Sequence, residues 1–69
     1  MEYGKALRMI MKEEGVSQAE LARRMNTSTS YISQLCTGKI SDPSLSRALE
    51  VAEALCVDIS RFERLMRTE

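Results

Sequence analysis

The chain has 69 residues, 43% of them hydrophobic, and its ten basic and ten acidic side chains cancel to a formal net charge of zero. That length makes one domain, residues 1–69, close to the smallest size that folds without staples. No apolar run approaches the roughly 20 residues of a membrane span, no signal-peptide pattern opens the chain, and two cysteines without a histidine indicate neither a metal site nor a disulfide framework.

In chain order, the first element is a helix from about Glu2 to Glu14. Tyr3, Leu7, Ile10 and Met11 recur on one face with Ala6 beside them, and Lys5, Arg8, Lys12 and Glu13 are solvated. Gly15 ends the helix, and Val16 tucks in before the next cap. Ser17 then opens a second helix with a capping box. Its hydroxyl is placed for the Glu20 N–H, and the Glu20 carboxylate for the N–H of Ser17. Leu21, Ala22 and Met25 give this helix its apolar face. Asn26 falls where the periodicity breaks and tolerates a left-handed backbone. Thr27 is the expected N-cap of a third helix, whose apolar stripe is Ile32, Leu35 and Cys36.

The other face of the third helix carries Ser28, Thr29, Ser30, Ser33 and Gln34. These are short, neutral hydrogen-bonding groups of middling helix propensity, where a merely soluble helix would use Glu, Lys and Arg. Two short helices across a tight turn, the second presenting uncharged polar groups from its first turn, suggest a helix-turn-helix reader of DNA.

The pattern Ser17-Gln18-Ala19-Glu20-Leu21-Ala22, with Thr27, Ile32-Ser33, Leu35 and Gly38-Lys39, resembles the Cro/repressor-type (Xre-like) helix-turn-helix family of phage and bacterial transcriptional regulators. The likeness extends over nearly the whole chain. It implies an all-α, compact five-helix lambda-repressor-like domain with helices 2 and 3 as the motif. Many members carry an Arg on helix 1 paired with a Glu near the end of the recognition helix; Met11 and Cys36 stand at the matching positions. Joint loss fits replacement of a buried ion pair by apolar contact, and predicts that Met11 and Cys36 touch. The alternative is that they face different neighbours.

After the loop Lys39-Ile40-Ser41-Asp42 and Pro43, a fourth helix is expected from about Ser44, its cap, to Leu55. Leu45, Ala48, Leu49, Ala52 and Leu55 form its expected core stripe, with Arg47, Glu50 and Glu53 outside. Relatives usually place Gly where Cys56 stands, so this end must close differently or with strain. Cys36 and Cys56 read as buried thiols in a reducing cytosol, with a redox-sensing Cys36 as the alternative. A last helix starts at Asp58 or Ile59 and runs to about Arg67. Its apolar set, Phe62, Leu65 and Met66, either closes the core or, as the family resemblance implies, makes a homodimer contact. Arg61, Arg64 and Arg67 are a solvated face or a phosphate grip.

For DNA, the resemblance places Ser28, Thr29, Ser30 and Gln34 at base edges, with Ser33 borderline. Gln34 suits adenine N6 and N7, and the Thr29 methyl a thymine methyl; solvation or capping is the plain alternative for each hydroxyl. Gln18 and the start of helix 2 would hold phosphate, as would Thr27, the Tyr31 hydroxyl, and Thr37, Gly38, Lys39 and Ser41 in the following loop. Arg23 and Arg24 either assist or are simply solvated. The charge is not evenly spread: residues 17–47 carry +2 and residues 48–69 carry −2. Non-specific affinity should therefore be modest and its salt dependence shallow.

The expected partner is a pseudo-palindromic double-stranded operator, bound by a homodimer that is weak or induced by DNA. No cofactor, metal or small-molecule ligand is expected, and the expected location is the bacterial cytoplasm, at the nucleoid. No catalytic constellation is present, so an enzyme is not expected. Two other readings stand beside a phage or prophage Cro-like repressor. One is a restriction–modification controller, and the other is an antitoxin or protein-interaction module with secondary DNA binding.

Overall fold

The computed structural model describes residues 2–67. Among them it has five helices and no strand: α1 (Tyr3–Glu14), α2 (Gln18–Arg24), α3 (Thr29–Thr37), α4 (Leu45–Ala54) and α5 (Ile59–Arg67). This is the all-α, five-helix architecture expected. Helix α3 packs against both α1 and α2, α5 lies on α1 and α4, and α4 also meets α2. Leu7 and Ile10 of α1, Leu21 of α2, Ile32 and Leu35 of α3, and Val51 and Leu55 around the end of α4 are fully buried and form one core.

Three helix ends share one closure with three different residues. Gly15, Asn26 and Cys56 all take left-handed backbone, at φ 68°, 55° and 59°. In each case the next residue's N–H reaches back five positions, Val16 to Met11, Thr27 to Ala22 and Val57 to Ala52, at 2.9–3.0 Å. These bonds satisfy carbonyls that a helix end otherwise leaves open. Glycine takes this conformation at no steric cost and Asn at little; at Cys56 the Cβ carries the penalty. Cys56→Gly is therefore expected to stabilise the protein by about 0.5–1 kcal/mol. A urea melt should show a higher midpoint at unchanged slope, and a lower midpoint would refute the strain. Standing at the turn past α4, the Cys56 thiol is exposed, not buried as the sequence suggests; Cys36 is the buried one.

Three further expectations are corrected. Helix α4 buries Val51, Ala52 and Leu55, leaves Ala48 half-buried, and exposes Leu45 (72%) and Leu49 (46%). The stripes 45-48-49-52 and 48-51-52-55 share two residues, so periodicity alone does not choose between them; the second is the one the fold buries. Phe62 is not a surface residue available for a dimer contact. It is 2% exposed and stacks on Tyr3, ring centroids 5.3 Å apart, within the range of favourable aromatic pairs. The N-cap of α3 is Ser28, not Thr27: Ser28 Oγ accepts the Tyr31 N–H at 3.1 Å.

The last helix is also fastened by charge. The Arg61 guanidinium donates to Glu14 Oε2 at 2.9 Å and to the Glu13 carboxylate, joining α5 to the end of α1. At the start of α5, Asp58 Oδ1 accepts the Ser60 N–H at 2.8 Å, which holds its carboxyl below the ordinary range.

Candidate nucleic-acid interface

Helix α2 starts on the Ser17 hydroxyl, which accepts the Glu20 N–H at 3.1 Å. The returning half of the expected capping box is absent, because the Glu20 carboxylate is taken by Arg23 and by Arg24 Nε at 2.9 Å. Charged donors are stronger partners for a carboxylate than a neutral backbone N–H, and they hold Glu20 below its ordinary pKa of 4.5. Arg24 also donates to the Ala54 carbonyl at 2.8 Å, where a cation suits the negative end of α4. Both guanidiniums are thus engaged within the fold.

Helix α3 divides cleanly between duties. Ile32, Leu35 and Cys36 are buried, while Thr29 and Ser30 are exposed and Ser33 and Gln34 half-buried one turn later. The structure therefore brings Ser28, Thr29, Ser30, Ser33 and Gln34 onto the outward side of one helix, although Ser28 already accepts a backbone bond as the cap and keeps only its hydroxyl proton and one lone pair. Gly38, at φ 87°, ends α3, and the Gln34 carbonyl accepts both the Thr37 hydroxyl at 3.4 Å and the Ile40 N–H at 3.1 Å. The following loop is thereby tied to the helix. Thr37, Lys39 and Ser41 are exposed along it, with Gly38 half-buried; Gln18 and Thr27 are half-buried at the α2 start and the turn.

Behind this surface, Met11 Sδ and Cys36 Sγ lie 3.9 Å apart in the core. Burial pushes the Cys36 thiol up in pKa against the opposing pull of Arg8. A protonated, 2% exposed thiol is a poor nucleophile, which disfavours redox sensing there.

Sequence reasoning missed one neighbour of this surface. Arg47 lies over the Tyr31 ring, its Cζ 5.2 Å from the centroid, a cation–π contact between α4 and α3. A position outside the expected core stripe reads as solvated, and nothing local in the sequence pairs residues sixteen apart.

Residues 7–62 match the model of the family described as Helix-turn-helix. No curated protein sequence matches the chain significantly. Among solved structures, the chain is similar to the restriction-modification controller protein C.AhdI from Aeromonas hydrophila, with a TM-score of 0.79 and 28% identity over 87% of this chain and 89% of that one. It is also similar to the clp gene regulator ClgR from C. glutamicum, with a TM-score of 0.81 and 27% identity over 97% and 91%. With the capped α2–turn–α3 geometry in place, the chain belongs to the Cro/repressor-type, Xre-like helix-turn-helix family of phage and bacterial transcriptional regulators.

Proposed function

We propose that this protein is a sequence-specific transcriptional regulator of phage or prophage, Cro-like type that reads a pseudo-palindromic operator as a dimer. The observation that carries the reading is the outward side of α3: exposed, neutral and hydrogen-bonding at Thr29 and Ser30, on a helix whose opposite side is locked in the core. A helix of this kind fits the major groove, where donors and acceptors distinguish the base pairs. Gln18 and the loop around Lys39 would set the register on phosphates.

One such helix reads only a few base pairs, so two are needed, about 34 Å apart on the operator. The surface that suits self-association is an open groove of about 450 Å³ between the start of α4 and α5. Pro43, Leu45, Ala48, Ile59 and Met66 line it together with the buried Phe62. Met66 is 39% exposed. Leu65 is half-buried against the core, which makes Met66 and Leu45 the stronger contacts. Asp42, Glu63 and Arg67 also line the groove, and an apolar surface bordered by polar residues suits association.

A restriction–modification controller is the second reading, favoured by the similarity to C.AhdI; both readings require the same DNA-bound dimer. Selection from random duplex DNA, repeated with Gln34→Ala, tests them. A palindromic consensus is expected, with the preference at one base pair per half-site lost in the variant. Loss of a bidentate contact of this type costs about 1–3 kcal/mol of discrimination. No enriched sequence even at low salt would overturn the reading and point to a protein partner.

A further inference from the structure

Arg47 is oddly placed for a residue whose only role is solubility. It is the third residue of α4 after the Ser44 cap, in the turn where the helix dipole disfavours a cation, and that turn holds no acidic residue. Among the described residues its ion-pair partner is Glu50, 3.6 Å away with both side chains about half exposed. An exposed pair of that length contributes little. What holds the guanidinium is the Tyr31 ring. The Tyr31 side chain is packed against the core, in the same capped turn that presents Thr29 and Ser30.

A cation held over a ring keeps its N–H donors for other partners, and the forked donors of a guanidinium suit phosphate. Arg47 is moreover on the opposite flank of α4 from Leu45 and Leu49. At 100° per residue it lies about 200° from Leu45, so an occupied α4–α5 groove leaves it uncovered. From these features we infer that Arg47, carried on Tyr31, is a phosphate-gripping residue that seats the first turn of α3 in its groove, exchanging Glu50 for the DNA backbone on binding. The inference rests on the DNA-reading function proposed above. Arg47 is a positioning residue and reads no base.

The test measures affinity for the wild-type consensus duplex at several salt concentrations. Removing one phosphate contact lowers the slope of log affinity against log salt by about 0.9. The defect of Arg47→Ala is therefore expected to be about 3.5-fold larger at 50 mM than at 200 mM salt, with the selected consensus unchanged. Glu50→Gln, which frees the guanidinium, should bind at least as tightly as wild type. Arg47→Lys keeps the charge and loses the forked donors, so it should retain the slope while binding more weakly. Thermal melts of each variant serve as the folding control; if Arg47→Ala melts early, Arg47→Lys and Glu50→Gln decide. A wild-type slope for Arg47→Ala, or an altered consensus, overturns the assignment while leaving DNA reading intact. Absence of any wild-type binding overturns both.

Discussion

Gly4→Ala should lower the thermal midpoint by about 8–16 °C. Helix propensity alone gives the opposite sign, since alanine is better than glycine inside a helix by about 1 kcal/mol. The structure decides otherwise. Gly4 lies in the first turn of α1, against the end of α3, and a Cβ built there would stand 2.6 Å from the Leu35 carbonyl oxygen and 2.9 Å from that of Cys36. Both are backbone atoms, so no rotamer change relieves the clash; α1 and α3 must separate. Overpacking of this kind costs about 1–3 kcal/mol and occasionally more. With two backbone atoms under 3 Å the upper end applies, so about 3 kcal/mol less the propensity gain leaves a net loss of about 2, and each kcal/mol moves the midpoint of so small a domain by about 4–8 °C. Circular dichroism melts of the two proteins check this. A midpoint at or above wild type would show that the helices have room to spare.

The second large effect concerns the sulfur pair beneath the recognition helix. Cys36→Glu puts a carboxylate beside the Met11 thioether, in a position now 2% exposed. An uncompensated buried charge costs about 3–5 kcal/mol. The exposed Arg8, whose charge already reaches the thiol, holds the expected cost to the lower end, about 3 kcal/mol. Met11→Arg alone should cost less, because a long arginine can carry its head toward water. The double substitution reinstates the ion pair common in the family and should recover most of the Cys36→Glu loss, a coupling of about 2 kcal/mol that neighbouring residues can show. Urea unfolding of the four proteins measures it. Strict additivity would mean that positions 11 and 36 do not form a pair site.

Much of the fold was legible because its signals are local. Ser17 and Ser44 cap the helices that follow them, Gly15 and Asn26 stop the ones before, and the buried stripes of α1 and α3 are those that helical spacing picks out. Each depends on residues within one or two turns. The failures are tertiary or turn on a contest between near-equal options. Thr27 and Ser28 are both good caps, and only the turn's length chose Ser28. Two overlapping stripes compete in α4, and the packing of the whole chain, not the spacing, decided between them. Phe62 lies in the core because Tyr3, nearly sixty positions away, offers it a ring. Close approach at Gly4 leaves no trace in its own neighbourhood. The candidate site divides the same way. Its neutral outward side was visible from composition, while the Arg47–Tyr31 stack was not, for it exists only once α3 and α4 have been brought together.

On α3, the work of holding the helix falls to the Ser28 cap, the buried side of Ile32, Leu35 and Cys36, and the Gln34 main-chain carbonyl that ties down the loop. The outward side chains at 29, 30, 33 and 34 share in none of it, so the helix is an interchangeable cassette. At the exposed Thr29 and Ser30, substitutions should stay within about 0.5 kcal/mol. On the DNA-reading function proposed above, a lineage carrying this domain can drift from one target sequence to another through ordinary point mutations, each intermediate still folded.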